Sequence, residues 1–80
     1  MIEYVKGTLA DLTPAEAVVE AGGIGFALNI SINTFTAIQD KKGKEVRLFV
    51  HESLVTGGRD DSYTLFGFYT HQERDLYRLL

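Results

Sequence analysis

The chain contains no cysteine, which removes disulfides, zinc ribbons and thiol chemistry together and fits a reducing compartment. No apolar run approaches the ~20 residues needed to cross a bilayer, and no basic-then-apolar leader opens the chain. The expectation is a soluble, cytoplasmic protein. Repeats, low-complexity tracts and linkers are also missing. The only histidines, His51 and His71, fall on separate predicted elements with no cysteine to assist them, so no metal site is expected. No Ser/His/Asp set sits in a supporting motif. Nothing in the sequence points to catalysis or to a cofactor.

Positive charge is scarce. Eight Lys and Arg stand against 11 Asp and Glu, for a net charge of −3, and the pI is near 5.2. Phosphate contact is dominated by Lys and Arg, so a nucleic-acid-binding domain is normally basic. Either nucleic acid is not the partner, or this domain supplies something other than bulk affinity. In the second case the basic grip lies elsewhere in a longer chain. The end of the sequence fits that reading: Glu73 to Leu80 is helical in pattern and stops without Gly, Asn or Pro to end it. Position 80 reads as a domain boundary.

What is present is one small domain. At 80 residues, folding buries only about 60% of the unfolded surface, and the 45% apolar content is that of a globular chain. Met1 to about Leu9 predicts a first strand, with Gly7 as a bulge or close-approach point. Asp11-Leu12-Thr13-Pro14 predicts a turn. Ala17 to Glu20 is a short second strand. Ala21-Gly22-Gly23 then turns the chain into a third, where Phe26, Leu28, Ile30 and Ile32 alternate with small or polar residues and one face belongs to the core. Asn33 is expected to cap a short helix over Thr34 to Ile38, with Phe35 and Ile38 on one side.

Lys41-Lys42-Gly43-Lys44 is a basic turn, with Arg47 near it. Val46, Leu48 and Val50 alternate with Arg47, Phe49 and His51 in a fourth strand. The fifth, Ser62 to Phe68, is aromatic or aliphatic at most positions, so both faces are expected to be covered. Thr70 followed by Glu73 is a capping box that opens a helix. The predicted class is all-β with short helices: a five-stranded OB-type barrel, a small helix between strands 3 and 4, and a C-terminal helix. Closure removes edges that so small a sheet could not protect. An SH3-like barrel or a split sandwich are the alternatives.

The most specific stretch is Arg59-Asp60-Asp61-Ser62-Tyr63-Thr64-Leu65-Phe66-Gly67-Phe68, running into Gln72-Glu73-Arg74. It resembles the RuvA family, whose members bind Holliday junctions in the bacterial branch-migration machinery. In that family an acidic pair after Arg leads into a Leu-aromatic-Gly-Phe strand, and Gln-Glu-Arg opens a helix. Met1-Ile2 with Lys6-Gly7, Glu20 to Phe26, and Thr34-Phe35 extend the likeness over nearly the whole chain. The resemblance implies that residues 1–80 form a single N-terminal OB-fold domain. A helix-hairpin-helix DNA grip and a motor-binding domain would follow it in the family. It implies a homotetramer on four-way junction DNA, a RuvB-type ATPase partner, a non-catalytic role and a place in recombination, repair and the SOS response. Asp60 and Asp61 would then form an acidic pin at the junction centre, with Arg59 as a possible contact to the DNA backbone. One departure is that His51 to Gly58 is several residues longer than in the family. A longer hairpin, with Thr56-Gly57-Gly58 near its tip, would move the carboxylates to a different depth.

Other readings attach to the same residues. Asp60 and Asp61 also fit a solvated turn, and Arg59 fits a local counter-charge. The Lys41, Lys42, Lys44 and Arg47 cluster fits either a backbone contact or a solvated turn. Gly22-Gly23-Ile24-Gly25 leads into a strand, so it suits a tight turn and not a phosphate loop. Tyr63, Phe66, Phe68 and Tyr69 suit base stacking in a generic single-strand-binding OB module, but their spacing makes most of them core. A metal-dependent nuclease would rest on Asp60, Asp61 and Glu52. A barrel used only for protein interaction is the remaining alternative.

Overall fold

The computed structural model describes residues 1–57 and 62–79. Its elements are β1 (Tyr4–Leu12), β2 (Glu16–Ala21), β3 (Ile24–Ile30), α1 (Ile32–Ile38), β4 (Glu45–Val55), β5 (Ser62–Phe68) and α2 (His71–Arg78). The five strands form a closed barrel in the order β1-β2-β3-β5-β4, with β4 returning to β1. All pairings are antiparallel except β3 with β5, which run parallel through Asn29↔Phe66 and Ile30↔Gly67. This is the OB-type arrangement expected from the sequence.

Closure depends on β1 serving two neighbours. Its first half pairs with β4, from Tyr4↔Phe49 to Thr8↔Glu45, and its second half pairs with β2, from Thr8↔Glu20 to Leu12↔Ala17. A register shift between Leu9 and Asp11 bends the strand at that point, as a bulge does. Gly7 is the close-approach point foreseen: a Cβ there would lie 2.1 Å from the Glu20 carbonyl oxygen. The strand runs three residues further than predicted, to Leu12, because pairing with β2 resumes beyond the bulge. The turn is therefore shorter, and Thr13 Oγ1 accepts from the backbone N–H of Ala15 and Glu16 at 3.3 and 3.0 Å.

The core is aliphatic. Val5 and Leu9 of β1, Ala17 and Val19 of β2, Leu28 of β3, and Val46, Leu48 and Val50 of β4 meet inside the barrel, and Ile38 of α1 joins the same cluster. The predicted alternation in β3 holds for Phe26, Leu28 and Ile30 but not for Ile32, which is exposed because the chain has already entered α1. Ser31, not Asn33, caps that helix: its extended backbone continues β3 while its hydroxyl accepts from Thr34 N–H at 3.2 Å. The buried helical pair is Thr34 and Ile38, with Phe35 half-buried. Gly22 and Gly23 take φ of +60° and +80° in the two-residue β2–β3 turn, where glycine is unstrained and other residues are not.

Candidate functional site

The fourth strand is longer than its alternating core residues suggested. Beyond His51 it continues through Val55, and its ladder with β5 runs from Phe49↔Phe68 out to Val55↔Ser62. Over the outer part the burial pattern changes. Leu54 is 65% exposed and Val55 58%, although consecutive strand residues point to opposite faces. Tyr63, opposite Leu54, is 56% exposed. With both faces open to solvent, this part of the hairpin has left the barrel. The expectation that both faces of β5 are covered holds only near Gly67 and Phe68, because only that end lies over the core. Likewise Tyr63 and Tyr69 are exposed, Phe66 is half-buried and Phe68 is buried, so fewer of the four aromatics are core than the spacing implied.

Asp60, Asp61 and Arg59, with Gly58 before them, lie outside the described residues. In sequence they fall between Gly57 and Ser62, within the connection joining β4 to β5.

The base of the hairpin is held by Glu52. Its Oε2 accepts from the Tyr63 hydroxyl at 2.6 Å, and its Oε1 accepts from the backbone N–H of Ile2. The Tyr63 bond first, then the Ile2 bond, hold the Glu52 carboxyl below its ordinary value, helped by the positive N-terminus and His51. The same bond to Glu52 pushes the Tyr63 phenol above its ordinary value. Both Glu52 oxygens are thus engaged within the protein, and the other two residues of the nuclease reading, Asp60 and Asp61, lie outside the described residues.

Helix α2 braces the opposite end of β4 and β5. Thr70 caps it, accepting from Glu73 N–H at 3.2 Å as the capping box requires. The Glu73 carboxylate, however, is used across the fold: Thr34 Oγ1 donates to it at 3.0 Å. Arg74 is the one charged residue among the buried ones described, 6% exposed. Its guanidinium reaches Glu3 Oε2 at 2.9 Å, the Glu3 carbonyl at 3.2 Å and Asp75 at 3.2 Å, and lies 5.5 Å from the Phe49 ring centre. The bond to Glu3 raises its already high pKa against the opposing effect of burial. Tyr77 packs on Phe66, Phe68 and His51 with ring centres 5.3 to 5.5 Å apart. His51 also accepts from Arg78 Nε at 3.3 Å, and His71 lies edge-on to Phe49. His71 Nδ1 also lies 3.5 Å from Asp75 Oδ2.

The basic cluster divides. Lys42 approaches Asp11 at 3.6 Å across the surface. Arg47 stacks over Tyr4 and Phe49, 5.4 and 5.5 Å from their ring centres. Lys41, Glu45, Val46, Arg47, Phe49 and Tyr69 line a shallow groove of about 380 Å³. Among the described residues no helix is long and apolar enough to cross a membrane.

A barrel closed through a parallel β3–β5 pair, with a long β4–β5 hairpin and a capped helix behind it, can be compared with known proteins. Residues 1–67 match the family model for the RuvA N terminal domain. The chain belongs to that family. It is 49% identical over 80 residues to the "Holliday junction branch migration complex subunit RuvA" of Bacteroides thetaiotaomicron, covering 100% of this chain and 37% of that protein. Proteins of the same name from Parabacteroides distasonis and Chlorobium phaeobacteroides are 42% and 39% identical over the full chain, which covers 38% of each. The chain thus spans little more than a third of the length of these relatives.

The RuvA-like motifs have local physical reasons. A Cβ at Gly67 would sit 3.1 Å from Leu28 Cβ and Cδ1, tighter than an ordinary contact, where the Leu-Phe-Gly-Phe strand crosses the core. Glu73 and Arg74 of Gln-Glu-Arg are the two side chains that fasten α2 to α1 and to the segment before β1. From sequence, Glu73 is legible only as part of the cap, and Arg74 only as part of the Gln-Glu-Arg motif. Glu52 is legible in sequence only as a candidate metal ligand. Its partners depend on the β4–β5 register, which puts Leu65 opposite Glu52 and Tyr63 diagonal to it.

Proposed function

We propose that this chain is the barrel domain of a Holliday-junction-binding subunit of a branch-migration complex, a non-catalytic component acting on DNA in recombination and repair in the cytoplasm. Four copies would surround the junction, each presenting Asp60 and Asp61 at its centre, with Arg59 beside a backbone phosphate. A RuvB-type ATPase, engaged through parts of the protein beyond this domain, would supply the work.

The observation that carries this reading is the β4–β5 hairpin, which leaves the barrel and whose connection contains the acidic pair in sequence. The names of the full-length relatives support the substrate. The net charge of −3 suits a domain that positions and repels while the grip on phosphate lies elsewhere. A carboxylate about 7 Å from a phosphate is opposed by roughly 2 kcal/mol at an effective dielectric of about 20. Screening over about 8 Å removes most of this at twice the distance. An acidic pin therefore acts only where it enters the junction, parting strands there and disfavouring ordinary duplex.

The test is Asp60→Asn with Asp61→Asn in the intact protein. Duplex binding should tighten relative to junction binding, and the branch-migration rate should change. Wild-type values for both would refute the pin. Sedimentation of the intact protein tests the tetramer.

A further inference from the structure

Among the described residues, one polar side chain, Glu52, ties the outer hairpin to the segment entering β1. Glu52 stands opposite Leu65 in the β4–β5 register, and Tyr63 stands opposite Leu54. Glu52 and Leu54 share a strand face, so Tyr63 is the diagonal cross-strand neighbour of Glu52, within reach of a long side chain. One carboxylate oxygen takes the Tyr63 hydroxyl and the other takes the Ile2 N–H. Ile2 belongs to the segment entering β1, and the next carbonyl, that of Glu3, accepts from Val50 N–H at 2.9 Å. Three pieces of chain therefore converge on one half-buried carboxylate: both hairpin strands and the lead into β1. A cleft of about 250 Å³ lined by Met1, His51, Glu52 and Arg78 lies beside it.

The barrel does not need a carboxylate here. Its core is made elsewhere, from aliphatic residues that exclude Glu52, and the ladder at Glu52↔Leu65 is already paired. What lacks support is the hairpin beyond it, where Leu54, Val55 and Tyr63 are exposed. A two-stranded ribbon without a packed face is marginal in water and twists freely. We infer that Glu52 is a positioning residue, bridging Tyr63 and Ile2 so that the outer β4–β5 hairpin keeps a fixed angle to the barrel. The bridge stands on geometry alone. Its consequence for DNA, a fixed depth for Asp60 and Asp61, rests on the proposed function.

Two measurements on the intact protein separate these levels. The first is amide hydrogen exchange in Glu52→Ala and Tyr63→Phe, compared with Glu52→Gln, which keeps one acceptor oxygen. Loss of the bridge should speed exchange of the amides in 53–55 and 62–64 by about fivefold, the factor for one net hydrogen bond. Core amides at Leu28 and Leu48 should stay at wild-type rates, and Glu52→Gln should fall between. Wild-type exchange in the hairpin of both Glu52→Ala and Tyr63→Phe would overturn the bridge, as would equal acceleration of hairpin and core. The second is junction-over-duplex selectivity for Glu52→Ala, alone and combined with Asp60→Asn and Asp61→Asn. Selectivity should fall with Glu52→Ala alone and change no further when the carboxylates are already absent. Additive losses would overturn the link to the pin. If Asp60→Asn with Asp61→Asn has no effect by itself, the proposed function fails while the exchange result still judges the bridge.

Discussion

Thr34 and Glu73, 39 residues apart, are joined by a 3.0 Å hydrogen bond from the threonine hydroxyl to the glutamate carboxylate. Thr34 is fully buried, and its Oγ1 also accepts from Tyr69 N–H at 3.2 Å. Ser31 Oγ lies 3.3 Å from Thr34 Oγ1 and 3.4 Å from Glu73 Oε2. The N-terminus of α1, the end of β5 and the first turn of α2 therefore meet at one hydroxyl. Thr34→Val keeps the shape but strands the Tyr69 N–H and part of the Glu73 carboxylate, at a cost of about 2 kcal/mol. Thr34→Ser, which keeps the hydroxyl, should cost less. Urea unfolding midpoints of the two variants check this ordering.

Gly7 and Gly25 make a matched pair. Alanine at Gly7 drives its Cβ into the Glu20 carbonyl at 2.1 Å, whereas at Gly25 the nearest atom is Val18 Cγ1 at 3.6 Å, an ordinary contact. Gly7→Ala should destabilise by about 3 kcal/mol or more, since the obstacle is backbone. Gly25→Ala should cost less than about 1 kcal/mol. Comparable thermal midpoints for the two would contradict the account of barrel closure.

Arg74 anchors α2 through geometry more than through charge. Its carboxylate partners Glu3 and Asp75 are 61% and 54% exposed, so their ion pairs are largely screened. The buried bond to the Glu3 carbonyl and the contact with the Phe49 face remain. Arg74→Met should cost about 2 kcal/mol and speed exchange of the α2 amides first. Arg74→Lys should restore only part, because an ammonium cannot present the guanidinium's forked donors.

Stability should fall at both ends of the pH range. Glu52 and Asp75 titrate below their ordinary values of 4.5 and 3.8. For Asp75, partial burial pushes upward, and bonds from Arg74 and His71 more than reverse it. The unfolded chain thus binds these protons more tightly, and what both groups contribute is complete above about pH 4.5. It is lost as pH falls through their lowered folded values. Tyr63 is raised from 10.0 by Glu52, so its contribution is complete below that value and is lost as pH climbs past the raised one. Tyr63→Phe should flatten the alkaline fall and Glu52→Gln should weaken the acid one, read from thermal unfolding between about pH 3 and about pH 11.

Local signals carried much of this fold into the sequence. Period-two alternation marked Leu28, Val46, Leu48 and Val50 as core. Thr70 with Glu73 marked the start of α2, and Gly22-Gly23 marked a hairpin turn. Each depends on residues close together in the chain, where backbone geometry alone sets which neighbours meet. The order of motifs from Lys6-Gly7 to Gln72-Glu73-Arg74 pointed to the family in the same way. The acidic pair, Asp60 and Asp61, was legible only as sequence, and its role rests on the experiments above.

Tertiary structure alone decided which polar side chains act across the barrel. Nothing local tells Glu52 that its oxygens face Tyr63 and Ile2, Glu73 that its carboxylate turns from its own cap to Thr34, or Arg74 that it lies buried on Phe49. Glu52 lies 11 residues from Tyr63 and 50 from Ile2, and Glu73 lies 39 from Thr34; the first pair meets through the β4–β5 register, and the others only once the barrel is assembled. A hydrogen bond forms between groups a few ångströms apart, and that distance is set by strand register and by closure of the barrel.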